Sequence, residues 1–363
     1  MTKTILFVCL CLLFAPGATA QQPQAATYVT IDAPGAGTAA GQGTYANNID
    51  TAGDVVGDYW DTDNVAHCYV RAANGAITTF SAPGAGTGSG QGTGACYGIN
   101  TAGDVTGNYI DSNNVYHGIL RTAAGAITAF HAPGSGAGAL QGTYPWSINE
   151  AGEISGQSID ANGVTHGFVR SAKGKIAIFD VPGAGSAAGQ GTIPYAINAS
   201  GTIVGLYLDA SSGIHGFVRT SSGTITPFNA PGADGTYGYG INTAGTTTGN
   251  SWLAGSGASG IVLATNGTFT TFNVAGAGTG NSQGTVGNGI NKSGAVTGYY
   301  IDANGTFHGF LRSAGGKITP FDPPGAGAGA NQGTDAFNLN NAGTIAGSYI
   351  DAGNVIHGFI RTN

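Results

Sequence analysis

The sequence predicts an all-β fold, a seven-bladed β-propeller of four-stranded blades, and three observations carry that expectation. The tripeptide Gln-Gly-Thr (once Asp-Gly-Thr) recurs with its glycine at 43, 92, 142, 191, 235, 284 and 333, at spacings of 49, 50, 49, 44, 49 and 49 residues. Each unit holds four short runs rich in Val, Ile, Tyr and Phe, separated by Gly, Asn and Pro, which is the punctuation of strands. The third observation concerns the ends. "TYVTIDAPGAGT" at Thr27–Thr38 matches the fourth run of a unit, "AITTFSAPGAGT" at Ala76–Thr87, whereas the last unit stops after its third run at "HGFIRTN". The N-terminal strand is therefore expected to complete the last blade and close the ring, which removes exposed sheet ends.

The second unit justifies each element in order. "ACYGIN" ends at Asn100, "TAG" turns, and "DVTGNYID" is a second strand. "SNN" turns again, "VYHGILR" is the third strand, "TAAGA" turns, and "ITAFHA" is the fourth. The loop "PGSGAGALQGT" leads to the next unit, and no stretch has a helical period. A regular period makes residues 21–363 one domain, with units starting near 43, 92, 142, 191, 235, 284 and 333.

Met1–Ala20 stands apart. Lys3, the apolar "ILFVCLCLLF" and the small-residue ending "GATA" have the layout of a signal peptide cleaved after Ala20, too short to span a bilayer. The mature chain is thus expected to be secreted or periplasmic, with no membrane span, and monomeric. The full sequence's net charge of −7 and scarcity of cations argue against nucleic acid as a partner. Loss of the leader removes Cys9 and Cys11. Cys68 and Cys96 remain, on neighbouring blades, and export permits a disulfide between them; two separate thiols are the alternative.

In strand one, the residue two before the Ile or Leu is Asn47, Tyr97, Trp146, Tyr195, Tyr239, Asn288 or Phe337. The next residue is Asn48, Gly98, Ser147, Ala196, Gly240, Gly289 or Asn338. Alternation puts the large set on one face and the smaller on the other, so one blade's large face can fill its neighbour's small face. The second reading makes Tyr97, Trp146, Tyr195, Tyr239 and Phe337 a ligand-stacking set at the axial opening.

A His-Arg phrase recurs six times. His67, His117, His166, His215, His308 and His357 each follow Asp61, Asp111, Asp160, Asp209, Asp302 and Asp351 by six residues. Arg71, Arg121, Arg170, Arg219, Arg312 and Arg361 follow four residues later. Across a hairpin, Asp and His can hydrogen-bond, and the Asp can also accept loop N–H groups. Arg is expected to span the groove between blades and satisfy carbonyls or a carboxylate, with the strand-two glycines Gly57, Gly107, Gly156, Gly205, Gly249, Gly298 and Gly347 leaving it room. A set repeated in six units reads as structural rather than catalytic. "DTDN" and "DANG" are fragments of calcium-type loops without the closing Glu, so no metal or other cofactor is assigned.

Asp50, Asn100, Asn149, Asn198, Asn242, Asn291 and Asn340 precede turns and read as Asx-turn residues. The fifth unit is the exception: its entry loop at Ala233–Gly235 is short, and Leu253, Ser259 and Leu263 replace Asp, His and Arg, with Trp252 beside them. Apolar repair of a lost polar set is the first explanation, a notch in the rim the second.

The phrase HGF[VLI]R, with "G.IT.F..PGA" and "GIN..G...G.Y.D" after it, resembles the HAF repeat family of extracellular bacterial proteins across almost all of residues 28–363. The resemblance implies secretion and a repeated β architecture, and assigns neither an activity nor catalytic residues. The functional expectation is an exported binding or scaffolding module for a cell-envelope or extracellular partner, glycan or protein. Multivalent glycan binding follows if near-identical blades present near-identical pockets. The alternatives are a propeller enzyme, a lyase or hydrolase, working at the axial opening through His131, Glu150 and Glu153, and a purely structural surface protein.

Overall fold

The computed structural model describes residues 26–362, so the expected leader Met1–Ala20 lies outside the described residues. Among these there are 28 strands and no helix, hence none long and apolar enough to cross a membrane. After β1 (Thr27–Ile31) the first unit runs β2 (Gly43–Ile49), β3 (Val55–Trp60), β4 (Ala66–Arg71) and β5 (Ile77–Phe80). These pair antiparallel in chain order. Later units repeat the order, with first strands β6 (Gly92–Ile99), β10 (Gly142–Ile148), β14 (Gly191–Ile197), β18 (Gly235–Ile241), β22 (Gly284–Ile290) and β26 (Gly333–Leu339). The last unit continues with β27 (Ile345–Ile350) and β28 (Ile356–Thr362), and β1 pairs antiparallel with β28 from Thr27↔Thr362 to Ile31↔Gly358. First strands neighbour one another in order, and β26 also neighbours β2.

The signature tripeptide joins units. At the third-to-fourth junction, Gln190 Oε1 accepts from Ala187 N (3.1 Å) while its Nε2 donates to Ala210 O (3.1 Å), pinning the long loop. Thr192 Oγ1 accepts from Val181 N (2.9 Å) at the end of the preceding fourth strand. Gly191 sits at φ 119° and bridges Thr165 of the preceding third strand, so close that a Cβ would lie 1.9 Å from Thr165 O. Only glycine allows that approach.

The core lies between units. Phe168, Phe217, Phe310 and Phe359 of the third strands are fully buried, each against a fourth-strand ring of the preceding unit: Phe130, Phe179, Phe272 and Phe321, at 5.8–6.2 Å and near-perpendicular. Such edge-to-face pairs add to the area they bury.

The turn asparagines do more than turn. Asn149 Oδ1 accepts from Ala151 N and Glu153 N, as expected, but its Nδ2 donates to Asn198 O (3.1 Å) of the next unit. The same staple runs from Asn100, Asn198, Asn242, Asn291 and Asn340, the last to Asp50 O at 3.1 Å. From the first unit to the second the donor is missing, because residue 50 is Asp and a carboxylate cannot donate. Burial, with the Asp54 charge, raises the Asp50 pKa. Asp50→Asn is expected to complete the series and raise unfolding free energy at pH 8 by about 1 kcal/mol. A raised folded-state pKa means wild type gains stability as pH falls through that range, so the gap to Asn should narrow on acidification. Urea denaturation at pH 8 and pH 4 tests this, and a variant no more stable than wild type at pH 8 rules the staple out.

Candidate functional site

A cavity of about 530 Å³ is lined by the first strands of every unit. Their geometry departs from plain alternation at one residue, and in the second unit over the three residues Ala95–Tyr97. Register shifts fall between Ala46 and Asn48, Gly94 and Gly98, Pro145 and Ser147, Pro194 and Ala196, Gly238 and Gly240, Gly287 and Gly289, and Ala336 and Asn338. Asn47, Tyr97, Trp146, Tyr195, Tyr239, Asn288 and Phe337 therefore sit within bulges, where an extra residue re-aims its side chain. Pro145 and Pro194 fit there because a bulge leaves an N–H unpaired.

The large residues consequently do not fill a neighbour's small face. Tyr97, Trp146, Tyr195 and Tyr239 are half-buried along the cavity wall, with successive ring centroids 4.9, 5.0 and 5.0 Å apart. Phe337 lines the same cavity from the last unit. The small residues instead admit the next unit's backbone: a Cβ on Gly240 would lie 2.6 Å from Asn288 O.

Opposite this aromatic arc the wall is polar. Asn47 Nδ2 donates to Asp58 Oδ1 (2.6 Å), Asn288 Nδ2 to Asp335 Oδ1 (3.2 Å), and Asn338 Nδ2 to Asn48 Oδ1 (2.6 Å). Burial pushes the Asp58 carboxyl up to about 6 and that of Asp335 up to about 7, against the lowering effect of each asparagine. Burial also pushes Tyr195 up to about 12 and Tyr239 higher still. Sequence reasoning missed both acids, since neither belongs to the repeat. The available signal was exception: the places matching Asp58 hold Asn108, Gln157, Leu206, Asn250, Tyr299 and Ser348, and those matching Asp335 include Tyr45, Tyr144 and Tyr237.

The Asp–His pairs stand on the rim, away from this cavity. His67 Nε2 lies 3.0 Å from Asp61 Oδ2, with 3.1 Å for His117–Asp111 and His215–Asp209, and looser ion-pair distances of 3.7, 3.8 and 3.5 Å for His166–Asp160, His308–Asp302 and His357–Asp351. Asp61 Oδ1 accepts from Asp63 N and Val65 N, both 2.9 Å. Despite a desolvation cost, the Val65 N–H and the His67 ring hold Asp61 below the usual carboxylate range. Loop N–H groups thus take the oxygen a cation would need.

The arginines depart from expectation. Arg71, Arg121, Arg170, Arg219 and Arg312 each donate from Nη1 to the next residue's carbonyl at 3.3–3.4 Å, within their own unit. The groove is spanned by stacking: Arg121, Arg170, Arg219, Arg312 and Arg361 lie over Phe80, Phe130, Phe179, Phe272 and Phe321 of the preceding unit at 4.7–5.0 Å. The strand-two glycines do not accommodate guanidinium groups either. A Cβ on Gly57 would meet Tyr45 O at 1.9 Å and the Tyr69 ring at 2.9 Å, so the space belongs to the strand-one bulge and a third-strand aromatic. In the fifth unit Leu263 replaces Arg, and Phe228 faces Phe269 at 6.1 Å, Phe269 standing where other units carry Ile. Apolar packing has taken over the stack. The fifth unit nevertheless borders a cavity of about 640 Å³ that includes Leu253 and Trp252.

Cys68 and Cys96 are joined by a disulfide linking the third strand of the first unit to the first strand of the second. His131, Glu150 and Glu153 are not brought together. His131 Nδ1 faces His117 Nδ1 at 3.4 Å on the rim, Glu150 accepts from Thr101 N (3.1 Å), and Glu153 accepts from Asn149 Nδ2 (2.8 Å).

Fold and site together define an all-β repeat protein whose strands converge on one asymmetric cavity. No family model matches the chain, and no curated protein does. Among solved structures it is similar to the BP39L lectin from Burkholderia pseudomallei, with TM-score 0.50, 8% identity, and coverage of 86% of this chain and 96% of that one. It is also similar to the Aleuria aurantia lectin, a six-bladed β-propeller that recognises fucose, with TM-score 0.41, 15% identity, and coverage of 72% and 89%. TolB from Acinetobacter baumannii matches with TM-score 0.43, 10% identity, and coverage of 85% and 80%. At 8% identity the likeness to the Burkholderia protein is one of fold.

Proposed function

We propose that the units form a seven-bladed β-propeller, one domain over residues 21–363, whose axial cavity binds a glycan. The β1–β28 ladder and the neighbouring of β26 with β2 support closure into a ring. The glycan reading rests on one observation: a continuous aromatic arc, Tyr97–Trp146–Tyr195–Tyr239, faces amides and carboxylates across the same lumen. A sugar offers both halves of that match, an apolar C–H face for the rings and hydroxyls for Asn47, Asn288 and Asp335. That the Burkholderia protein is a lectin agrees with this reading without carrying it. The clefts that would hold a repeated pocket carry Arg–Phe stacks, which favours one axial site over multivalent binding. Export, and kinship with the HAF-type repeat proteins, complete the proposal, and the Cys68–Cys96 disulfide suits an oxidising compartment.

The test is a glycan array followed by calorimetry on the best hit. Trp146→Ala is expected to weaken binding about 10–100-fold, the cost of losing a central aromatic anchor, while His215→Asn on the rim leaves it unchanged. No hit on the array, or equal losses in both variants, defeats the axial site.

A further inference from the structure

We propose that a second cavity, between the first and second units, is an aromatic cage for an organic ammonium ion. It has a volume of about 350 Å³, within the usual range for small-molecule pockets. Trp60, Tyr45, Tyr97, Tyr116 and Tyr144 wall it, with Asp58 among them. Tyr116 and Tyr144 meet edge-on at 5.5 Å, and Tyr97 approaches Tyr144 at 6.5 Å, so these three walls form one connected aromatic surface.

The carboxylate decides the ligand's charge. Asp58 is 7% exposed and takes a hydrogen bond from the neutral amide of Asn47. The titratable groups facing it are the phenols of Tyr45 on β2, Tyr69 on β4, Tyr97 on β6 and Tyr144 on the third unit's β10, all of which burial keeps protonated. A buried charge requires a partner, and these neighbours supply no positive one. Aromatic faces attract cations through their quadrupole, and cages of this kind take quaternary ammonium groups. A hard metal ion would instead need several oxygen ligands.

The molecule contains its own comparison. At the corresponding place on the fifth unit, Trp252 stands for Trp60, Tyr237 for Tyr45 and Asn250 for Asp58, and these line the 640 Å³ cavity. The aromatic frame is kept there and the carboxylate is not, so the first cavity alone should select a cation.

The cage shares Asn47, Tyr97 and Phe337 with the axial cavity but not Tyr239, so the two proposals separate experimentally. The full chain would be titrated at pH 8 with tetramethylammonium chloride against matched sodium chloride, and with glucosamine against glucose, reading tryptophan fluorescence and calorimetry. Both ammonium ligands should bind, and Asp58→Asn should weaken them at least about tenfold. Trp60→Leu should weaken them similarly, and it covers the case in which the Asp58 variant folds poorly. Tyr239→Leu, an arc position whose ring contacts are Tyr195 and Tyr237 and no cage wall, should leave them unchanged. Affinity should fall as pH drops through about 6, where Asp58 takes up its proton. Equal binding by Asp58→Asn, equal affinity for glucose, or no ammonium binding at 100-fold molar excess overturns the cage. Glucosamine binding without tetramethylammonium binding overturns it too, and assigns the sugar to the axial site.

Discussion

Asp335→Asn should make the protein more stable at pH 7.5 while changing little at pH 4, and Asp58→Asn should do the same to a smaller degree. Both carboxyls have folded-state pKa values raised from 3.8, to about 7 and about 6, by burial, Asp335 at the axial cavity and Asp58 at the second one. A raised pKa means that between the unfolded and folded values the native state binds more protons than the unfolded state. Unfolding free energy then falls as pH rises, from about 4 to 6 for Asp58 and from about 4 to 7 for Asp335. The contribution is on the order of 3 kcal/mol for Asp58 and 4 kcal/mol for Asp335, since one pKa unit corresponds to about 1.4 kcal/mol. The amide variants keep the shape and remove the titration. Urea denaturation at pH 4.5, 6 and 7.5 would follow it, and parallel stability–pH curves for wild type and double variant would mean that neither acid is desolvated as described.

The second large effect is steric. Gly191→Ala is expected to cost about 4 kcal/mol or more, enough to compromise folding, because its Cβ would lie 1.9 Å from the Thr165 carbonyl oxygen while φ stays at 119°. Gly189→Ala is the control. Its φ of 79° is also left-handed, but nothing lies within 4 Å of the added carbon, so about 1 kcal/mol is expected. Equal losses from the two substitutions, measured by denaturant midpoint, would show that backbone conformation rather than the inter-unit approach explains the recurring glycine of the tripeptide.

The strands were legible because each is bounded by residues with strong local preferences. "TAG" and "SNN" mark turns whatever surrounds them, and β7 (Val105–Ile110) and β8 (Tyr116–Arg121) lie where that punctuation puts them. The Asp–His contact was legible for a similar reason, since six residues across a hairpin leave few alternatives. What escaped depends on the meeting of two units. Nothing local says that Arg219 lies over Phe179, or that Asn149 staples Asn198 O, because those distances are set by how units pack. The bulge at Trp146 was hidden for another reason: an extra residue is invisible until a partner strand supplies the register. In the cavity the aromatic arc could be read as a repeated position. Asp335 there, and Asp58 at the second cavity, could be found only as departures from the repeat, and a reading that looks for what recurs passes over them.

The ladder between β1 and β28 joins Thr27 to Thr362, 335 positions apart, so it forms at the largest loop-closure cost in the molecule. Order of events follows from this. Six units can assemble from contacts made within about 50 residues of chain, whereas β1 must wait, unpaired, until β28 exists. A waiting strand is an aggregation hazard in proportion to the apolar surface it holds ready. Here that surface is small: of the five residues of β1 only Ile31 ends up buried, and Val29 remains 45% exposed after pairing. The first of the described strands to be made, and the last to find its place, is thus one whose composition lets it wait in water.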